Sequence, residues 1–158
     1  MKSLITLLGL LGTFSIGLGD DPPVIANQAK SPTVPTAAQD LTVTADLSDD
    51  VSLSVTEVRY AINGGSESSV SMSNTSGDEY SGTIPSSAYT DGDRVTFYVY
   101  VEDGAAQSTT SSSTWGIFAG TTNISSFIVI DGNGAPAYEY NYARVTGVAI
   151  VSTGVFGT

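Results

Sequence analysis

Apolar and polar residues alternate in the middle of the chain. Every second residue from 41 to 47 is apolar, and the residues between them are polar. The same alternation runs from 95 to 101, where Val95, Phe97 and Val99 fall on one face. A period of two residues is typical of a strand that buries one face. The pattern predicts strands whose apolar positions are largely buried, among them Val43, Tyr60, Ile62, Tyr80, Ile84, Phe97 and Val99.

Turn-forming residues separate these runs at short intervals. They lie at residues 48–50, 63–65, 74–78, 89–93 and 103–104, and they are rich in Gly, Asn, Asp and Ser. A lead-in over residues 20–35 contains prolines, which confine strands to sheet edges, so we expect only a short first edge strand at 24–26. No stretch has the period of an amphipathic helix. The sequence therefore predicts an all-β fold, an antiparallel sandwich of two sheets.

The N-terminal segment has the features of a secretory signal peptide. Lys2 is followed by an apolar run that persists to Leu18, and the acidic residues from Asp20 onward end it. We expect residues 1–19 to be removed, with a cut after Gly17 as the alternative position. The run is shorter than the roughly 20 residues that a membrane-spanning helix needs. The protein is therefore expected to be secreted or displayed on a bacterial cell surface.

Three segments carry a resemblance to known modules. Residues 60–65 read Tyr-Ala-Ile-Asn-Gly-Gly, residues 80–85 read Tyr-Ser-Gly-Thr-Ile-Pro, and residues 95–104 alternate up to Asp-Gly. Together they resemble the immunoglobulin-like and fibronectin type III-like modules of large bacterial exported proteins. The resemblance implies an immunoglobulin-like sandwich over residues 22–116. Its motifs serve packing and turns, so they indicate the fold and not the ligand.

The sequence of the C-terminal tail predicts a second structural unit. Residues 117–122 are interpreted as a linker, and residues 123–158 as an incomplete module. An Asp-Gly-Asn-Gly-Ala-Pro stretch followed by a strand containing Val-Thr-Gly-Val is similar to the opening of an OB-fold-like module of exported bacterial proteins. That fold needs five strands, so the chain would be a fragment of a longer protein. The alternative is that the apolar run at 143–151 joins the sandwich.

Composition excludes several classes of function. The net charge is −11 with five basic residues, too few to neutralise many phosphates, and an anionic membrane would repel the chain. The sequence has neither histidine nor cysteine, so it lacks disulfides and the usual general base. A serine nucleophile would need a lysine base, and Lys30 is the lysine left after the signal. We predict no catalytic or cofactor-binding residue.

The expected function is that of a non-catalytic module. It would act as an extracellular or cell-surface spacer or adhesion module, with an unknown protein or carbohydrate as partner. The alternative is an accessory domain of an exported hydrolase, such as a nuclease or protease, whose catalytic part lies beyond Thr158. Tyr98 and Tyr100 share one strand face and could form a platform for such a partner, although ordinary stacking on a sheet also explains them.

Acidic residues near two turns are candidate calcium ligands. Asp46, Asp49 and Asp50 cluster at the first turn, and Asp91 and Asp93 lie at another. Calcium prefers carboxylate and carbonyl oxygens. Aspartate is also common in turns for its hydrogen bonds to the backbone. Turn chemistry is therefore the first interpretation, and calcium at Asp46, Asp49 and Asp50 the alternative.

Overall fold

A computed structural model describes residues 19–112, 114–122, 129–135, 137–138 and 141–145. The predicted signal peptide falls outside these residues apart from Gly19. So do residues 123–128 and 146–158 of the predicted second module. Within the described chain, no helix has the length and apolar character needed to cross a membrane.

The described residues form an all-β sandwich, as predicted. The strands are β1 (Val24–Ser31), β2 (Leu41–Ser48), β3 (Leu53–Ile62), β4 (Ser68–Ser71), β5 (Ser73–Ser76), β6 (Glu79–Ile84), β7 (Arg94–Asp103), β8 (Ser108–Thr110), β9 (Trp115–Thr122) and β10 (Asn141–Val145). One sheet has the order β1-β2-β6-β5. The other has the order β10-β9-β7-β3-β4, with β8 also paired to β7. A three-residue 3₁₀ turn, Ser86–Ala88, follows β6.

The core lies between the sheets and follows the alternation in the sequence. In β2 and β7 every second residue is buried, from Leu41 to Leu47 and from Val95 to Asp103. Phe97, fully buried, meets the Trp115 ring edge-on, with 5.4 Å between ring centroids. Of the predicted core residues, four are buried: Val43, Ile84, Phe97 and Val99. The other three, Tyr60, Ile62 and Tyr80, are partly buried and pack against this core.

Two local predictions differ from the structure near polar strands. Residues 74–78 were expected in a turn, but residues 74–76 belong to the edge strand β5, which pairs with β6. All four of its residues are polar and exposed, so no alternation indicates a strand. β1 extends to Ser31, well beyond the short strand expected. It does so through a bulge, where Asn27 has a φ of 47°.

The predicted linker over residues 117–122 is wrong. These residues belong to β9, which pairs antiparallel with β7, and Ile117 and Ala119 are completely buried. Gly120 has a φ of 63°, and a Cβ there would overlap the carboxylate of Asp91. The glycines and threonines that suggested a linker therefore serve a closely packed strand.

The described part of the tail continues the same sheet. β10 runs parallel to β9, with Asn141 opposite Gly116 and Val145 opposite Thr122. This placement agrees with the alternative that the tail joins the sandwich. The OB-fold-like start stays a prediction, because residues 146–158 lie outside the described part.

The described lead-in and the last residue of β10 lie at opposite ends of the sandwich. The lead-in at Asp20 lies beside the 49–52 turn and the 103–107 turn, and we call this region the acidic end. β10 finishes at Val145 beside Thr122, near the loops that follow β1 and β6. The length of the strands therefore separates Asp20 from Val145.

Candidate functional site

Two aspartates begin the turns of the acidic end and hold their shape. Asp49 follows β2, and its Oδ2 accepts hydrogen bonds from the main-chain N–H of Val51 (3.0 Å) and Ser52 (2.8 Å). Asp103 ends β7, and its Oδ1 accepts from the N–H of Ala105 and Gln107, both at 2.8 Å. Each carboxylate therefore uses one oxygen to stabilise its own turn.

The N-terminal lead-in is bound across this end. The side-chain amide of Gln107 donates to Asp20, at 2.9 Å to its carbonyl oxygen and 3.1 Å to its Oδ2. The main-chain N–H of Asp21 donates to Asp50 Oδ1 at 3.3 Å. The lead-in thus contacts both turns, and it brings a further carboxylate to those of the first turn.

Three carboxylates converge at the acidic end. Asp20, Asp49 and Asp50 each offer one oxygen, and these oxygens lie within 4.8 Å of one another. Two of the three predicted calcium candidates, Asp49 and Asp50, are therefore brought together. The third, Asp46, is separate and accepts a 2.6 Å hydrogen bond from Asn27 Nδ2.

The sequence interpretation missed Asp20 and Asp103. Asp20 was assigned to the cleavage site, and Asp103 to an ordinary Asp-Gly turn. The alternation of β7 was the signal that could have identified Asp103, because it continues the buried phase of that strand. It is a charged residue with 1% exposure, which is uncommon without a partner.

The second pair of aspartates belongs to the opposite end. Asp93 accepts a hydrogen bond from Asn63 Nδ2 at 2.7 Å and another from the main-chain N–H of Thr90 at 2.8 Å. These hydrogen bonds, that from Asn63 first, lower the pKa of the Asp93 carboxyl. Asp93 therefore has the turn role that was the first interpretation of these residues.

An aromatic and ionic group covers the outer face of β7. The Arg59 guanidinium lies 3.5 Å from the centroid of the Tyr100 ring and pairs with Glu57 at 3.0 Å. Tyr98 donates its hydroxyl to Glu67 at 2.8 Å, and that hydrogen bond raises the pKa of Tyr98. Because Arg59 lies over the Tyr100 ring, a sugar or peptide could stack on that side only by displacing the arginine.

Lys30, the possible base of a serine–lysine mechanism, lies in an aromatic setting. Its Nζ is 3.8 Å from the centroid of the Tyr142 ring and 5.7 Å from that of Trp115. Partial burial there lowers the pKa of Lys30. These cation–π contacts join β1 to β9 and β10, which is a structural role.

Comparison with known proteins adds little information about the family or the ligand of this chain. No family model matches the sequence, and no curated protein matches it. Among solved structures, one match is described as "Crystal structure of Br derivative BhCBM56", a carbohydrate-binding module. It has 10% sequence identity and a TM-score of 0.35, and it covers 60% of this chain and 86% of its own. A likeness at this level carries no argument about the ligand.

Proposed function

We propose that this chain supplies a non-catalytic, immunoglobulin-like spacer module of a bacterial exported or cell-surface protein. The observation that carries the proposal is the position of the lead-in relative to the last described strand, β10. Asp20 and Val145, near the two limits of the described residues, lie at opposite ends of the sandwich. β7 has ten residues, and at about 3.3 Å per residue a strand of this length spans about 33 Å between the two ends of the sandwich.

The strand order supports the immunoglobulin-like assignment. The order β1-β2-β6-β5 corresponds to A-B-E-D of a constant-type immunoglobulin sheet, and β9-β7-β3 corresponds to G-F-C of its partner. β4 takes the place of an additional C′ strand beside β3. The three segments that carry the sequence resemblance fall on the β3–β4 turn, on β6 and on β7.

The surface chemistry supports a passive role. The outer-face aromatic residues are engaged by charged neighbours of the same chain, and the sequence offers no histidine or cysteine as nucleophile or base. The acidic, cysteine-free composition is compatible with a bacterial exterior. The hydrolase-accessory alternative needs the same passive module, and any coding sequence found beyond Thr158 would separate the two.

Export and replacement in the native bacterial protein test the proposal. With an epitope tag after Thr158, mass spectrometry of the exported protein should find a mature N-terminus near Asp20. Replacing residues 22–122 with an unrelated sandwich of similar length should preserve display of the tag at the cell surface, because a spacer contributes length and not recognition.

Two results would overturn this function. Intact Met1 in a membrane fraction would exclude a cleaved signal. Loss of cell attachment in the replaced protein, with display of the tag unchanged, would show that the module itself recognises a partner and is an adhesion domain. A replacement sandwich that fails to be exported would be absent from the surface fraction. The matched control is a protein in which a shorter linker of flexible residues replaces residues 22–122.

A further inference from the structure

We propose that the acidic end is a calcium site formed by Asp20, Asp49 and Asp50, beside the turn that begins at Asp103. Calcium binds oxygen at 2.3–2.6 Å, so two ligands of one ion lie at most about 5 Å apart. One oxygen from each of the three outer carboxylates meets this limit, since they lie within 4.8 Å of one another.

Several carboxylate oxygens at the acidic end lack a hydrogen-bond donor, which points to a cation. Asp20 Oδ1 and Asp49 Oδ1 are buried from solvent and accept no hydrogen bond from the described residues, and the same holds for Asp103 Oδ2. For Asp20 and Asp49 the other oxygen, Oδ2, is held by N–H donors. Each of these two carboxylates is thus oriented by one oxygen and leaves the second for an ion.

The burial of Asp103 is a second observation, independent of the cluster of three carboxylates. It is 1% exposed and follows Val101 in the buried phase of β7, and its turn lies beside the 49–52 turn, because the N–H of Gly104 donates to the Ser52 carbonyl at 3.1 Å. Gln107 joins it to the outer group, because its main-chain N–H bonds Asp103 and its side-chain amide bonds Asp20. A buried carboxylate oxygen without a partner is costly, and a bound cation would remove much of that cost.

The basic residues of the described chain are engaged elsewhere. Lys30 contacts aromatic rings, Arg59 pairs with Glu57, Arg94 donates to Asn141, and Arg144 donates to a main-chain carbonyl at 3.4 Å. These basic side chains therefore do not offset the mutual repulsion of the carboxylates at the acidic end, and an external cation would do so. Calcium suits the site better than magnesium, which requires near-ideal octahedral geometry.

A bound ion would join the lead-in to the turn that follows β2. That consequence, a stiffer entry into the spacer, rests on the proposed function, whereas the site itself does not. The affinity should fall in the range of extracellular calcium modules, with a Kd of about 10⁻⁴–10⁻³ M.

Calorimetric titration of the full chain with calcium chloride, at about 0.15 M sodium chloride to screen diffuse binding, tests the site. Binding should be saturable with one ion per chain. Asp50→Asn should weaken it by about tenfold or more, because one charged ligand is lost. Asp46→Asn is the matched control, since this carboxylate lies outside the cluster, and it should leave the affinity unchanged. Calcium should shift the backbone amide signals of residues 20–21, 49–52 and 103–107.

Equal affinity in the Asp50→Asn and Asp46→Asn proteins would overturn the proposal, because it would show diffuse attraction to an acidic surface. So would the absence of binding heat and of amide shifts at about 10 mM calcium, well above the affinity range expected. Asp50 is exposed, so its substitution leaves the core intact and a folded variant is available. Export and surface display are measured without reference to calcium, so failure of the site and failure of the spacer function are distinguishable.

Discussion

The side-chain amide of Asn141 lies directly against Gly116, in the space that a Cβ at position 116 would fill. Asn141 is the first residue of β10 and Gly116 is its partner in β9. Arg94 donates from Nε to Asn141 Oδ1 at 3.1 Å, and its guanidinium lies 4.8 Å from the centroid of the Tyr138 ring. The missing side chain of Gly116 is therefore what allows the tail to dock on the sheet.

Gly116→Ala should loosen this docking. The added methyl must displace Asn141, and overpacking of this kind typically costs about 1–3 kcal/mol. Urea unfolding should show the lower stability, and hydrogen exchange should show faster exchange of the amides of residues 141–145. Gly132→Ala is the control, because a Cβ there meets nothing within 4 Å. Unchanged exchange in the Gly116→Ala protein would mean that β10 does not pair with β9 in solution.

Because the Tyr89 hydroxyl is buried, we expect the protein to lose stability at alkaline pH. It is 3% exposed and donates its hydroxyl to the Gln39 carbonyl, and burial, with the charge of Asp40, raises the pKa of Tyr89 to about 12. An unfolded tyrosine ionises near pH 10. The stabilisation is therefore complete below about pH 10 and is lost as the pH rises towards 12.

Tyr89→Phe tests this dependence. At pH 7 the variant should be about 1 kcal/mol less stable, because it lacks the hydrogen bond. Between about pH 10 and 12 the difference in free energy of unfolding between the two proteins should shrink and then change sign, since only the parent has a phenol here, and it ionises more readily when the chain is unfolded. A difference that stays constant over this range would contradict the raised pKa.

Phe97→Ala should be severely destabilising. The side chain is completely buried between the sheets, and truncation of a buried phenylalanine costs about 3–5 kcal/mol. Thr96→Ala, the neighbour on the opposite face of β7, should cost about 1 kcal/mol or less, although its hydroxyl donates to the Ala61 carbonyl at 3.3 Å. Chemical denaturation of both variants measures the contrast. If Thr96→Ala is the more destabilising change, the faces of β7 are reversed.

The sequence predicted the strands that bury one face and expose the other. β2 and β7 alternate strictly, so their inner faces were expected correctly and their boundaries to within two residues. β5 is polar on both faces and β9 is buried along most of its length, so neither has an alternation to detect. β10 pairs with a strand about twenty residues earlier, and periodicity within a segment does not report on a parallel partner.

The residues of the acidic end likewise divide into those that the sequence predicted and those that it missed. Spacing along the chain found Asp49 and Asp50, which are neighbours in sequence. Asp20 and Asp103 reach the same end only because β1 pairs with β2 and because β7 runs back across the sandwich. Such long-range pairing cannot be inferred from the local pattern of one sequence, so the complete cluster emerged only with the fold.

The parallel pairing of β10 with β9 determines how the molecule would respond to mechanical tension. A pull applied at Val24 and at Val145 draws β1 and β10 lengthwise from those residues. In both cases the force runs along the strands, across all the hydrogen bonds of a ladder at once. The bonds then share the load, whereas a perpendicular pull would open them one after another. The molecule is thus built to resist stretching along its long axis more strongly than peeling at its edges.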